Sequence, residues 1–235
     1  MRLNAQNPGL AVVIGARGGI GSALLKCLQE HGDWPEVIGL GRDTDPALDL
    51  EDEATIAHAA QHIALRELPL RLVINATGAL SRYGCSAEKS WKQIDPRAMQ
   101  RSFVLNSIGP ALLMKHFLPQ LAREGRSVFA TLSARVGSIG DNRLGGWYSY
   151  RAAKAALNQL VHTAAIELRR SRPEALCVAL HPGTVATPLT ADYAKAGLEV
   201  QDPETAAQRI LAVIAGLDAS QSGGFFDHKG VPVPW

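Results

Sequence analysis

Short aliphatic runs alternate along the chain with longer segments in which apolar residues recur every three or four positions. The runs Leu10–Ile14, Glu36–Leu40, Arg71–Asn75, Ser127–Leu132 and Leu176–Leu180 have the length and Val/Ile/Leu content of buried strands, and a weaker run spans Gly224–Phe226. Helical spacing predicts helices over Ile20–His31, Ala54–Arg66, Met99–Ala122, Tyr150–Arg169 and Pro203–Leu217. In the fourth of these, Ala153, Ala156, Leu157, Leu160, Val161, Ala164 and Leu168 fall on one face. Strands that alternate with amphipathic helices predict βαβ units, and so an α/β fold: one doubly wound domain over residues 1–235, its mainly parallel sheet flanked by helices on both faces. No internal repeat, low-complexity segment or linker divides the chain. The least regular stretches, Gly137–Gly146 and Pro182–Val200, follow strands, where open parallel sheets meet their ligands, and are expected to form the mouth and lid of a site.

Composition narrows the classes. With 235 residues, 46% hydrophobic and 20% charged, the chain can bury one substantial core. No apolar run reaches the ~20 residues of a membrane span. The polar start, Met1–Pro8, leads straight into the first strand without a secretory signal, so a cytoplasmic location is expected. Cys27, Cys85 and Cys177 are widely spaced and odd in number, which suits reduced thiols better than a disulfide framework or a zinc site. His58 and His62 share a helix face but have no third ligand in view, and no metal is expected. Net charge is only +2, and Arg123, Arg126, Arg169, Arg170 and Arg172 sit near helix ends among acids. They read as solvated faces, not as a nucleic-acid stripe.

The first candidate chemistry lies directly after the first strand, in Gly15-Ala16-Arg17-Gly18-Gly19-Ile20-Gly21, which opens a helix. Missing side chains let the backbone approach a pyrophosphate, whose charge the free N–H groups and the positive helix end stabilise. This points to a Rossmann-type, NAD(P)-binding domain, the competing reading being a tight turn that merely packs the helix on the strand. After the second strand, where an NAD-specific site presents an acid to the ribose 2′-hydroxyl, stand Gly41 and Arg42. A guanidinium there, with Arg17 as a second positive charge, favours the 2′-phosphate of NADP(H) over NAD(H). The competing reading leaves Arg42 as a solvated charge beside Asp43 or Asp45.

The second lies on the fourth helix. Tyr150 and Lys154, spaced i and i+4, project from one face. A free phenol with a pKa of ~10 is a poor catalyst near neutrality, and a nearby ammonium is expected to lower that value. Tyr148, six residues from Lys154, faces elsewhere.

With the spacing G-x-x-x-G-x-G of Gly15, Gly19 and Gly21, these motifs resemble the short-chain dehydrogenase/reductase family in order over nearly the whole chain. Asp49-Leu50 matches the adenine contact of that family. Asn75-Ala76-Thr77-Gly78 resembles its N-A-G segment, with Thr77 as a departure. Asn106 matches the helix asparagine that supports a water beside the catalytic lysine, and His181-Pro182-Gly183-Thr184-Val185-Ala186-Thr187 matches the segment that lies against the nicotinamide. Leu132-Ser133-Ala134-Arg135-Val136-Gly137-Ser138 and Gly145-Gly146-Trp147-Tyr148-Ser149-Tyr150 resemble the corresponding segments of the C-factor-like members.

The resemblance implies hydride transfer between a nicotinamide and a carbonyl or alcohol carbon, with Tyr150 as general acid/base. Lys154 would bind the ribose and Asn106 sustain a water path. It extends the cofactor set to Gly18, Ile20, Ala76, Gly78, Pro182, Gly183, Val185 and Thr187. A serine would hold the carbonyl oxygen. Ser133 is favoured as the residue leaving the strand, although counting back from Gly137 lands on Ala134 and the spacing to Tyr150 suits Ser138. Phe103, Leu105, Ile108, Leu112 and Leu113 on the long helix are expected to be core on one side, and because the corresponding helix of the family pairs with its copy in another subunit, the resemblance implies a homodimer or homotetramer. Trp147, Leu144 and Leu189 suggest an apolar substrate pocket. The alternative is a C-factor-like nucleotide-binding protein with a signalling or regulatory role and little catalysis.

Overall fold

The aliphatic runs pair at the centre of the molecule. In the computed structural model, which describes residues 8–80, 87–187 and 200–235, β1 (Leu10–Ile14) is buried along its whole length. It pairs in parallel with β2 (Glu36–Leu40) on one side and β3 (Leu70–Asn75) on the other. The sheet continues through β4 (Ser127–Leu132), β5 (Ala175–His181) and β8 (Phe225–Asp227), giving six parallel strands in the order β2-β1-β3-β4-β5-β8. A separate two-residue pair joins β6 (Thr184–Val185) to β7 (Val200–Gln201). Because the chain winds outward in opposite directions from β1, a crevice opens between the carboxyl ends of β1 and β3, where ligands bind in sheets of this kind.

Alternate side chains of each strand feed two cores. One face packs against α1 (Gly19–Glu30) and α6 (Pro203–Gly216) through Leu24, Leu28, Ile210 and Ile214. The other packs against α2 (Glu53–Ala64), α4 (Gly109–Phe117) and α5 (Tyr148–Ser171) through Ile56, Phe117, Leu157 and Val161. Leu160, expected on the buried face of α5, is 36% exposed. Two of the arginines expected in solvent are built in: Arg172 gives Nε to Leu121 O at 2.8 Å, and Arg126 gives Nη2 to Ile214 O and Leu217 O. They satisfy carbonyls at helix and loop ends, a demand that charge patterning does not reveal. Among the described residues no helix is long and apolar enough to cross a membrane. The polar start over residues 1–7, Cys85, Leu189 and most of the 182–200 stretch lie outside the described residues.

The helix expected over Met99–Ala122 is divided. α3 (Pro96–Phe103) runs into a π turn over Val104–Ile108, then α4, then a 3₁₀ turn over Leu118–Gln120. Pro110 has no N–H for the Asn106 carbonyl four residues back, and Gly109 N bonds Val104 O instead, which widens the turn. The π turn alters which residues face inward. Leu105 and Asn106 are buried, while Ile108, expected in the core, is 50% exposed.

α5 lies close against the turn that leaves β4. A Cβ at Gly137 would stand 2.7 Å from Lys154 Cβ and 2.9 Å from the Lys154 carbonyl carbon, so this crossing admits no side chain. Gly137→Ala should therefore destabilise the protein by about 1–3 kcal/mol, the usual range for overpacking. Its melting temperature in a thermal scan should fall by several degrees, whereas Gly216→Ala, with open space around it, should leave the melting temperature unchanged or raised.

Candidate active site

The crevice is a cleft of about 450 Å³ whose walls are the carboxyl ends of three strands. Gly15, Arg17 and Gly18 line it from β1, Gly41, Arg42, Leu48, Asp49 and Leu50 from β2, and Ala76 and Gly78 from β3. Gly15 takes φ +82°, which favours glycine, and Gly18 N turns back onto Gly15 O at 2.9 Å. α1 then begins without a side-chain cap or an acid in its first turn. The N–H groups of Gly19, Ile20 and Gly21 consequently have no helical acceptor, and the bare positive end of the helix faces the cleft. A dinucleotide's pyrophosphate fits this backbone.

Not every expected residue lines the cleft. A Cβ at Gly21 would stand 2.1 Å from Gly15 O, so this glycine allows the helix to close on its own turn. Gly19 lies against Thr187, whose Cγ2 would be 2.7 Å from an added Cβ, which brings the 182–187 segment over the start of α1. Gly183 has φ +82°, and the Gln201 side chain holds the Pro182 carbonyl. Val185 is buried in β6. Asn75 is a fully buried brace that gives Nδ2 to Thr131 Oγ1 at 2.9 Å. Its Oδ1 accepts from Thr77 N at 3.1 Å and Thr77 Oγ1 at 2.6 Å. The extra Thr77 thus tightens the turn after β3, and it lines the cleft with Ala79 and Leu105, none of them anticipated.

Of the two candidate phosphate-binding arginines, Arg17 is tied to Asp43, at 3.5 Å to Oδ2 and 2.9 Å to the carbonyl oxygen. Arg42 has no hydrogen bond or ion pair among the described residues, and its turn is held by Thr44 Oγ1, which gives to Gly41 O at 2.8 Å. Asp43 neutralises its neighbour across the loop and leaves Arg42 as the open cation.

Deeper in, Tyr150 is 9% exposed and Lys154 2%. Lys154 Nζ donates to Leu132 O at 2.9 Å, where β4 ends, and lies 5.8 Å from the Tyr150 ring centroid. Asn106 is wholly buried, its side chain bonded to both backbone groups of Ala79. A Cβ at Gly78 would stand 3.4 Å from Asn106 Oδ1 and 3.6 Å from Lys154 Nζ, so this cleft residue joins the two. Ser107 Oγ gives to Ala153 O at 2.9 Å and fastens the π turn to α5. The structure thus gathers Asn106, Tyr150 and Lys154 at the inner end of the cleft.

The electrostatic expectation needs correcting. Burial pushes the Tyr150 phenol up from its ordinary value and the Lys154 ammonium down to about 7. Desolvation disfavours both charged forms and outweighs any help from the lysine. Both candidate serines have partners of their own. Ser133, 4% exposed, gives its one hydroxyl proton to Asn158 Oδ1 at 2.7 Å, inside the packing between β4 and α5. Ser138 gives its proton to Pro234 O near the C-terminus. Between them Ala134, extended at φ −144° and ψ 142°, is half-buried and carries no donor. Of the proposed apolar pocket, Trp147 meets the Tyr150 ring edge-on at 6.3 Å, but Leu144 is 91% exposed.

A profile of the family described as short chain dehydrogenase matches residues 9–197. C-signal of Myxococcus xanthus is 36% identical over 168 residues, covering 71% of this chain and 93% of that protein. The 1-hydroxy-2-glutathionyl-2-methyl-3-butene dehydrogenase of Rhodococcus sp. (strain AD45) is 28% identical, covering 95% and 98%. Among solved structures, an NADPH-bound carbonyl reductase from chicken fatty liver superposes with a TM-score of 0.86 at 25% identity, covering 99% of this chain and 96% of that one.

The buried lysine makes stability depend on pH. Its folded pKa, about 7, lies below the value of an unfolded lysine, so between pH 7 and ~10.4 the unfolded chain binds the proton more tightly and stability rises with pH. Without cofactor, wild type should therefore gain on Lys154→Met by about 5 °C or more in melting temperature from pH 6 to pH 9. Parallel pH profiles for the two proteins would remove the buried titration.

Proposed function

The chain belongs to the short chain dehydrogenase family, and from that premise we propose that it reduces a carbonyl group with NADPH, or runs the reverse oxidation, with Tyr150 as the proton carrier. Membership, with dehydrogenase and carbonyl reductase relatives, makes it an NAD(P)-dependent oxidoreductase. The observation that carries the finer reading is the joint burial of Tyr150 and Lys154 beside Asn106 at the inner end of the cleft.

When bound, a reduced nicotinamide supplies the hydride to the carbonyl carbon. Gly15, Gly18 and the open end of α1 would hold the pyrophosphate, Asp49 and Leu50 the adenine side, and Arg42 the 2′-phosphate. The 182–187 segment, whose Thr187 lies against Gly19, would face the nicotinamide side. Tyr150, kept protonated by burial, is in the form that gives a proton to the carbonyl oxygen, and desolvation strengthens that hydrogen bond. Lys154 binds the ribose and, titrating near neutrality, can return the proton to the phenolate. Asn106 holds the backbone of Ala79 beside it and supports a water path to solvent. With both serine hydroxyls engaged elsewhere, the carbonyl oxygen rests on the phenol. NADP(H) is preferred to NAD(H) because Arg42 lines the cleft without an ion-pair partner among the described residues, and the NADPH-bound chicken reductase supports that preference.

The likeness to C-signal favours a second reading, a nucleotide-holding protein whose role is signalling. Loss of NADPH absorbance across a panel of aldehydes, ketones and quinones separates the two readings: turnover is expected for an enzyme and none for a pure binder. Tyr150→Phe should lower kcat by ~10²–10⁴-fold while leaving NADPH affinity within a few-fold. Near-normal turnover in that variant would exclude the phenol as proton carrier. Arg42→Ala should weaken NADPH binding by about 10- to 100-fold with NADH little changed, consistent with one charge-assisted contact. Equal losses for both cofactors in a fluorescence titration would make Arg42 structural.

A further inference from the structure

α5 carries the reacting phenol in its first turn, yet it begins without a cap from its own N-terminal residues. Its N-cap, Trp147, lies in the left-handed region at φ 56° and does not cap the helix with its side chain, and no acid follows in the first turn. Tyr148, Ser149 and Tyr150 would leave their N–H groups to water in an uncapped helix, and a frayed first turn would move the phenol.

The missing cap comes from elsewhere in the chain. Glu88, 61 residues before Ser149, is only 7% exposed. Its carboxylate accepts the Ser149 N–H at 3.3 Å and takes a short hydrogen bond from Ser149 Oγ. Its carbonyl oxygen accepts Trp147 N at 2.5 Å. Gly146, at φ +67°, is where the two segments cross, since a Cβ there would meet Glu88 O at 3.2 Å. From the other side Arg151 ties the same turn by giving to Gly145 O, Gly146 O and Val136 O. No cation pairs with Glu88 among the described residues, so the buried charge is held by an N–H, a hydroxyl and the positive end of α5. A buried carboxylate is costly to keep unless its hydrogen bonds are complete, and here they are directed at the residue next to Tyr150.

We propose that Glu88 is a positioning residue for the reaction: through Ser149 and Trp147 it fixes the first turn of α5 and so the place of the Tyr150 hydroxyl. The proposal rests on the reading of Tyr150 as proton carrier. Its energetic logic is that of preorganisation, in which a displacement of ~1 Å at a reacting group can cost about 10²-fold in rate.

The test uses the intact chain with NADPH and the best carbonyl substrate of the panel. Glu88→Ala should lower kcat by about 10- to 100-fold while the NADPH dissociation constant stays within ~3-fold, because the cleft walls come from the sheet and α1. Glu88→Gln, whose amide oxygen still accepts from Ser149, should recover most of kcat. Ser149→Ala removes one contact only and is a mild change should Glu88→Ala fold poorly. It should reduce kcat in the same direction, and the double variant should be no worse than Glu88→Ala, as expected for one shared contact.

A second readout is independent of turnover. The alkaline absorbance of Tyr150, taken as the difference from Tyr150→Phe, should move to lower pH by about one unit or more in Glu88→Ala, since burial alone holds that phenol up. Unchanged kcat with an unmoved phenol titration would overturn the proposal, as would equal losses of kcat and NADPH affinity. Should Tyr150→Phe remain active while the titration still moves, the catalytic reading fails and the positioning of the phenol by Glu88 stands.

Discussion

Lys154 is a lysine kept out of water at the carboxyl end of the central sheet, where its Nζ finds the carbonyl of Leu132. That burial is costly, and the surrounding structure is what makes it tolerable. Gly137 lets the β4 turn lie directly on the Lys154 backbone, Ser107 ties the neighbouring turn to α5, and Asn106 and Gly78 close the other side. The same exclusion of water sets the chemistry of the site. It leaves the phenol protonated and the amine near neutrality, the pair of states from which one proton can be passed on and then restored.

The cleft and the buried Tyr150 and Lys154 pair are linked by short polar braces. Asn75 ties the end of β3 to β4 and to the turn that reaches Gly78, and Asn106 fixes the next residue, Ala79, by both its backbone groups. The helix breaks where it must for this to happen. Pro110 cannot complete an α-helical ladder, and the π turn that results directs Asn106 inward between the cleft and α5. Glu88 serves the opposite end of the arrangement by holding the start of α5. Segments distant in sequence are thus brought together around the turn of α5 that carries Tyr150 and Lys154.

Much of this was legible beforehand, for identifiable reasons. All six strands read from the sequence lie within one residue of the observed ones at each end, the first five because buried parallel strands need continuous aliphatic runs, and the glycine turn was read because backbone approach demands missing side chains. The common face of Tyr150 and Lys154 follows from their i, i+4 spacing, whereas their candidacy, like that of Asn106, came from the motif order of the family they resemble. What escaped depended on three-dimensional partners. The division of the helix over Met99–Ala122 was signalled by Pro110, yet the apolar periodicity on both sides overrode that signal. Ser133 leaves the strand end as expected, but the alternation of an extended chain turns its hydroxyl toward Asn158, a residue that no local pattern connects to it. Arg126 and Arg172 have the same composition signature as solvated arginines, and only the carbonyls around them distinguish the two cases. Glu88 sits in a polar stretch with no periodicity, and its role became visible only beside Ser149.

The central claim is that burial sets the protonation of the Tyr150 and Lys154 pair. It is tested most directly by following lysine side-chain nitrogens by NMR across pH in cofactor-free protein, with Lys154→Met identifying the signal that disappears. The account predicts that Lys154 titrates at about 7, apart from the solvent-exposed lysines. A Lys154 signal that stays charged to the ordinary lysine value of ~10.4 would contradict it.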